Sequence, residues 1–288
     1  MRLNDSRFLI LICTLTLFAS CASADKSSTK SSSKNISKTV LDKDFHHYFD
    51  DCNVDGSITI YDYNNKEWIL SDSVDTEQTT LPASTFKIIN LLIALETKTI
   101  KDENEVVKWV GSIDTVKYGY RPEIYHDMTV KEAFQVSAGW VFVELAKKIG
   151  KVDYAKYLKL CNYGNLNLSE KGDDFWNFGA FEISPKNQVK FLVKLYEEKL
   201  PFDKKNIQIV KKVMLAEQNP QYTIRAKTGW TRDKGVNIGW WVGYVEKSND
   251  VYFFATRLRK DRNNSPSNFG NCRKEITKAI LKELKIID

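Results

Sequence analysis

Histidine is scarce in this 288-residue chain, and the three present, His46, His47 and His126, have neither HxH nor HExxH spacing. Cysteine is as quiet. Past residue 24 only Cys52, Cys161 and Cys272 remain, an odd number without zinc-ligand spacing. A metal-dependent hydrolase is disfavoured on both counts, and no metal ligand is assigned. With so few imidazoles no Ser-His-Asp triad stands out, so any nucleophile needs another base. Long apolar runs are few as well: beyond the first two dozen residues none could cross a bilayer. No internal repeat is visible. A strong excess of one charge is also missing. The formal net charge is +6, but residues 1–38 hold six Lys or Arg against two Asp, which leaves +2 for the remainder. A near-neutral domain carries no electrostatic footprint for nucleic acid.

What is present begins with a leader. Arg2 and Arg7 precede an apolar run from Phe8 to Phe18, and small residues follow up to Ala24. That order reads as a secretory signal peptide over residues 1–24. Two cleavages compete. Ala22-Ser23-Ala24 fits a small-residue site before Asp25, giving a soluble periplasmic or extracellular product. Phe18-Ala19-Ser20-Cys21 has the form of a bacterial lipobox, which leaves a lipid anchor at Cys21. Residues 25–39 are rich in Ser and Lys without an apolar period and read as a flexible tether. Residues 40–288 are long enough for one sizeable domain.

Along that domain, Ser57 to Tyr63 and Glu67 to Asp72 are β-rich runs around Asn64-Asn65, a hairpin pattern. Pro82 to Leu95 turns helical, with Pro82 in the first turn. Thr129-Val130-Lys131-Glu132 has capping-box form, and a second helix is expected from Ala138 to Gly150. Ser184-Pro185 opens a helix to Lys199, and Phe202 to Glu217 reads as another. Tyr222 to Thr228, Val236 to Glu246 and Val251 to Leu258 read as three successive antiparallel strands. Asn271 to Ile286 closes the chain as an amphipathic helix. The order predicts an α+β fold: an antiparallel sheet flanked by helices, with an all-helical lobe inserted at about residues 98–185.

Four short motifs carry chemistry. Ser84-Thr85-Phe86-Lys87 sits at the start of a helix, where positions i and i+3 share a face and the Lys87 amine can reach the Ser84 hydroxyl. A helix start also offers free backbone N–H groups to a developing oxyanion. Alone the spacing proves little, since it recurs at Ser23/Lys26, Ser27/Lys30 and Ser31/Lys34 in the leader and tether. Lys227-Thr228-Gly229 would pass as a strand end, Tyr163-Gly164-Asn165 as a turn, and Ser137-Ala138-Gly139 as a helix cap. Their joint presence in this order, without a histidine triad, points to a serine nucleophile served by lysine.

With these four motifs the chain resembles the class D, oxacillinase-type serine β-lactamases from about residue 42 to 288. The Tyr-Gly-Asn at Tyr163, where class A enzymes carry Ser-Asp-Asn, is the most discriminating of them. Trp176 falls where the family has the tryptophan of its Phe-Trp motif, and Arg273 matches its carboxylate-binding arginine. The resemblance implies the β-lactamase/transpeptidase-like fold with a five-stranded sheet. It implies hydrolysis of penicillins and oxacillin-type drugs through a Ser84 acyl-enzyme, and hence antibiotic resistance. Catalytic roles are implied for Ser84, Lys87, Ser137, Trp176 and Lys227. Lys87 would be buried and carbamylated by carbon dioxide, and the indole of Trp176 would hold the carbamate. Ser137 would relay a proton, and the N–H groups of Ser84 and Trp230 would bind the oxyanion. Substrate-binding roles are implied for Tyr163, Asn165, Thr228, Gly229, Trp230 and Arg273. No cofactor besides carbon dioxide or bicarbonate is implied.

Two positions depart from the family pattern. Gly139 replaces the usual valine of Ser-x-Val, and Asn177 replaces the leucine after the tryptophan. Both apolar groups normally crowd the carbamate and limit the water beside it. The alternatives to a β-lactamase are a penicillin-binding DD-peptidase, a β-lactam sensor domain and a non-catalytic surface lipoprotein. The single domain, the Tyr-Gly-Asn and Trp176 stand against the first. The absence of several membrane spans stands against the second.

Overall fold

The computed structural model describes residues 38–41 and 45–288. The expected signal peptide, Cys21 and the expected tether up to residue 37 lie outside the described residues. Nine strands, β1 (Lys38–Leu41), β2 (Asp55–Asp62), β3 (Glu67–Leu70), β4 (Val106–Val107), β5 (Met128–Thr129), β6 (Leu215–Gln218), β7 (Thr223–Asp233), β8 (Val236–Lys247) and β9 (Asp250–Asp261), are described. The helices are α1 (His46–Asp51), α2 (Lys87–Glu96), α3 (Thr115–Tyr118), α4 (Val130–Gln135), α5 (Gly139–Ile149), α6 (Lys151–Cys161), α7 (Pro185–Tyr196), α8 (Lys204–Val213) and α9 (Phe269–Glu283).

The expected hairpin is present. The Asp62 carboxylate accepts the N–H groups of Asn64 and Asn65 at 3.0 and 2.9 Å, an Asx turn that reverses β2 into β3. The central sheet is larger than expected: seven strands in the order β1-β3-β2-β9-β8-β7-β6. Its five inner strands are antiparallel as the pattern predicts. The two edges differ from the pattern. Lys38 and Thr39 belong not to a tether but to β1, which runs parallel to β3. Leu215–Gln218 does not end a helix but pairs with β7. Leu, Ala, Glu and Gln are good helix formers, but intrinsic propensities differ by under about 1 kcal/mol per residue, and an available sheet edge overrides so small a preference.

β8 shows how the sheet divides the core. Trp240, Val242 and Tyr244 face a cluster shared with α2 and α4 to α8, while Trp241 and Val245 face α1 and α9. Alternation of side chains along a strand makes this possible, and burial on both sides keeps β8 free of charge from Ile238 to Val245. Caps fix the helix starts. Thr129 Oγ1 accepts the Glu132 N–H at 3.1 Å, and Ser184 Oγ accepts the Asn187 N–H at 3.2 Å.

The lobe at residues 98–185 is not all helical, because β4 and β5 form a two-stranded ladder within it. Helix α6 is an addition to the sequence pattern, although Tyr154, Leu158 and Cys161 place a buried face at i, i+4 and i+7. The odd cysteine count resolves into a Cys52–Cys272 disulfide, with Cα atoms 6.1 Å apart, and a free, buried Cys161. Among the described residues no helix is long and apolar enough to cross a membrane.

Candidate active site

Ser84 stands in a short 3-10 helix, Ala83–Phe86, that leads directly into α2. Ala83 holds φ +51°, a left-handed conformation unusual for a residue with a Cβ. The turn is held in this shape by its neighbours. The Ala83 N–H donates to the Trp176 carbonyl at 3.0 Å, and Trp240 Nε1 donates to the Leu81 carbonyl at 2.9 Å. Lys87 is the first residue of α2, and its Nζ donates to Ser84 Oγ at 2.6 Å. The ammonium is fully buried. Burial first, and then the charge of Arg121, lower its pKa to about 7. The contact expected from the i, i+3 spacing is thus made by an amine that can lose its proton near neutrality.

The Lys227-Thr228-Gly229 segment lies in β7 and passes alongside this turn. A Cβ on Gly229 would stand 2.9 Å from the Pro82 carbonyl and 3.1 Å from Thr85 Cγ2, so only glycine allows the approach. Lys227 Nζ donates to Ser137 Oγ at 3.0 Å and to the Thr228 carbonyl at 3.0 Å. Burial, and then the charges of Lys87 and Arg273, push the Lys227 pKa well below the usual lysine value. Ser137 precedes α5 with φ +61°. Such strain is held where the surroundings over-determine it, as they do when a hydroxyl must be aimed.

A cleft of about 790 Å³ opens over Ser84, Ser137, Thr228, Trp230 and Arg273. Arg273 donates from Nη1 to the Gly229 carbonyl, and burial lowers its pKa to about 10. It remains a cation at neutral pH. Trp230 is 45% exposed, with its ring against Phe269 and its Nε1 donating to Asn237 Oδ1 at 3.2 Å. Gly139 and Asn177 line the same cleft, and a Cβ on Gly139 would meet nothing within 4 Å. Arg121 also lines it, and no motif in the sequence marks it. Its signal is electrostatic, a cation that depresses both buried lysines, and needs the fold to be seen.

Trp176 is fully buried and stacks on Phe86, with ring centroids 4.9 Å apart. Its Nε1 has no hydrogen-bond partner, a cost normally avoided for a buried N–H. An orphan indole donor together with a buried, deprotonatable lysine fits a carbamate on Lys87.

Tyr163 and Asn165 do not line the cleft, so direct substrate binding by them is not met. Tyr163 is wholly buried, and its hydroxyl donates to Gln188 Oε1 at 3.2 Å. Asn165 spends its side chain locally, donating to the Ala180 carbonyl at 2.8 Å and accepting the Glu182 N–H at 3.2 Å. Gly164 between them has φ +68°, and a Cβ there would fall 2.8 Å from the Glu182 carbonyl. Tyr163 is enclosed by protein, while Asn165 faces solvent away from the cleft lining.

Residues 55–282 match the penicillin binding protein transpeptidase domain family. β-Lactamase OXA-10 of Pseudomonas aeruginosa is 41% identical over 211 residues, 72% of this chain and 77% of the relative. β-Lactamase OXA-48 of Klebsiella pneumoniae is 37% identical over 85% of this chain and 89% of the relative. A class D β-lactamase structure from Sebaldella termitidis superposes with a TM-score of 0.82 at 42% identity, covering 87% of this chain and 99% of that one. With a serine, two buried lysines and an arginine gathered around one cleft, and relatives of this name matched over most of their length, the chain belongs to the class D serine β-lactamases.

Proposed function

We propose that this chain hydrolyses the amide of β-lactam antibiotics, penicillins and oxacillin-type drugs, through a covalent Ser84 acyl-enzyme, with Lys87 as general base. The observation that carries the proposal is the 2.6 Å contact between Lys87 Nζ and Ser84 Oγ, made by a fully buried amine with a pKa of about 7.

The drug's carboxylate docks beside Lys227 and Arg273, with the arginine fork as a two-point anchor and Thr228 and Gly229 lining the approach. Lys87 takes the proton of Ser84 as its oxygen attacks the lactam carbonyl. The N–H groups of Ser84 and Trp230 stabilise the oxyanion. When the ring C–N bond breaks, Ser137 passes its proton to the leaving nitrogen and regains one through its contact with Lys227. Lys87 then releases the proton taken from Ser84 to solvent, and Lys227 regains one from it. Water attacks the ester and gives a proton to Lys87, and Lys87 returns it to Ser84 Oγ as the ester bond breaks and the ring-opened acid departs. Carbon dioxide held on Lys87 as a carbamate would supply a carboxylate base at this position, and Trp176 Nε1 is the donor that would hold it.

The protein is read as exported. Its order of leader, small residues and tether supports this, and so does a disulfide, which persists in oxidising compartments. Cleavage before Asp25 or lipidation at Cys21 would give a soluble periplasmic enzyme or an anchored lipoprotein respectively.

Steady-state turnover of a chromogenic cephalosporin tests the proposal, together with resistance of cells expressing the full chain. Sustained turnover is expected. A single stoichiometric burst without turnover would overturn it and favour a penicillin-binding DD-peptidase or a sensor.

A further inference from the structure

The Tyr-Gly-Asn segment, the most discriminating motif in the sequence, makes no part of the cleft. The Tyr163 hydroxyl reaches instead to Gln188, in the first turn of α7. From there a directional chain runs to the nucleophile. The Tyr163 hydroxyl donates to Gln188 Oε1 at 3.2 Å, Gln188 Nε2 donates to Thr85 Oγ1 at 2.8 Å, and Thr85 Oγ1 donates to the Pro82 carbonyl at 2.7 Å. Tyr163 and Thr85 are fully buried and Gln188 is 1% exposed, so water cannot replace a missing link cheaply. We propose that Gln188 is a positioning residue that ties the Tyr-Gly-Asn segment to the turn presenting Ser84, so that Tyr163 serves catalysis without touching substrate.

Three observations make this more than a satisfied core glutamine. The chain ends on Pro82 and Thr85, the residues on either side of left-handed Ala83 and of Ser84 itself. The Pro82 carbonyl also accepts the Thr85 N–H at 3.2 Å, so the turn is closed twice, once through backbone and once through the side chain Gln188 holds. Next to Gln188, Asn187 grips the other end: its Oδ1 accepts the Gly164 N–H at 2.8 Å and its Nδ2 donates to the Asn162 carbonyl at 2.9 Å. The first turn of α7, capped by Ser184, therefore holds the Tyr-Gly-Asn turn with one residue and the nucleophile turn with the next. Every donor and acceptor in the chain has its orientation set by its neighbour. The amide at position 188 both accepts from the phenol and donates to the threonine, which neither a carboxylate nor an ammonium there could do.

The role rests on Ser84 being the nucleophile, and the test keeps the two apart. Acylation by a chromogenic cephalosporin is measured under single-turnover conditions, with Ser84→Ala as the control and thermal unfolding followed for every variant. Gln188→Met keeps the volume and removes both bonds, Thr85→Val removes the middle hydroxyl, Tyr163→Phe removes the phenol, and Thr85→Ser restores the bond that Thr85→Val loses. Misplacing a reacting atom by about an ångström costs on the order of a hundredfold, so Gln188→Met and Thr85→Val are each expected to slow acylation roughly ten- to a hundredfold. Thr85→Ser is expected to stay within about threefold of wild type, as a retained hydrogen bond requires. The double variant Gln188→Met with Thr85→Val is expected to be no slower than the poorer single, because residues acting through one chain are not additive. Acylation by Gln188→Met within about threefold of wild type would overturn the proposal, as would a double variant whose losses simply multiply. If Gln188→Met does not fold, Thr85→Val and Tyr163→Phe form the same cycle, and unchanged acylation or multiplying losses there would overturn the proposal equally. An active Ser84→Ala protein would instead indict the nucleophile assignment.

Discussion

Lys227 and Ser137, ninety positions apart, meet at 3.0 Å across the cleft, the ammonium of a sheet strand donating to a hydroxyl at the mouth of the helical lobe. The meeting explains a strained backbone. Ser137 holds φ +61°, which glycine would adopt freely and alanine would not. Ser137→Gly and Ser137→Ala both remove the hydroxyl, so both are expected to lose acylation by about 10²- to 10⁴-fold, the usual worth of a placed proton donor. Their stabilities should part. Ser137→Gly is expected to melt at or above the wild-type temperature and Ser137→Ala below Ser137→Gly. Calorimetry beside kinetics reads both, and equal melting of the two would show that the conformation is not held under strain.

Removing Lys87 is expected to move stability and activity in opposite directions, and the stability change depends on pH. In the folded protein its pKa is about 7, against 10.5 for an ordinary lysine, and burial is the main cause. Between those values the unfolded chain binds a proton that the native state does not, so wild-type stability rises with pH across the window. Each unit of depression is worth about 1.4 kcal/mol. Lys87→Met should therefore be inactive yet more stable than wild type. The gain should be full at and below about pH 7 and fade as pH approaches 10.5. Urea unfolding at pH 6.5 and pH 9.5 measures it. A gain that does not shrink with pH would mean that the burial cost is not what depresses this lysine.

The disulfide ends beside Arg273, the arginine proposed to anchor the drug's carboxylate. Cys272 and Arg273 are adjacent at the start of α9, and Cys52 at the end of α1 ties that helix down. Cys52→Ala with Cys272→Ala is expected to cost about 2–5 kcal/mol of stability, the usual range for a native bridge. Since Arg273 Nη1 still has the Gly229 carbonyl as a partner, KM should rise only a fewfold and kcat should hold. A large fall in kcat with unchanged KM would contradict a purely anchoring role.

How far the sequence led depended on how local the cause was. Thr129 and Ser184 cap within three residues of themselves, and the Asn64-Asn65 turn closes as locally, so both caps and the hairpin were legible directly. The Ser84–Lys87 contact is likewise one helical turn. What escaped depends on partners far along the chain. Leu215–Gln218 is a strand only because β7 leaves an edge open. Cys52 finds Cys272 220 positions away, and three cysteines cannot announce which two will pair. Tyr163 drew attention as a ligand-binding residue because its motif is distinctive, yet it is buried and bonds to Gln188, which nothing near it in sequence marks.

Gly139 and Asn177 bear on the base. A lysine carbamate lasts only where its nitrogen stays unprotonated, which requires that water be kept from Lys87. Both residues line the cleft, and the space at Gly139 is open. We expect activity to depend on added bicarbonate and to fall early as pH drops below neutral. Gly139→Val with Asn177→Leu should weaken both dependences. Carbon-13 NMR with labelled bicarbonate at pH 6 reads the adduct apart from activity, and the double variant should show the greater occupancy. Equal occupancy in the two proteins would show that these residues leave the carbamate alone.

The central claim is that Ser84 carries the acyl group. Wild-type protein quenched during reaction with a slowly released β-lactam is digested, and the adduct is located by peptide mass spectrometry. The account predicts one drug-mass addition per chain, on the peptide containing Ser84. It also predicts that Ser84→Ala gains none and loses turnover by several orders of magnitude. An adduct on any other residue, or turnover that survives Ser84→Ala, would contradict it.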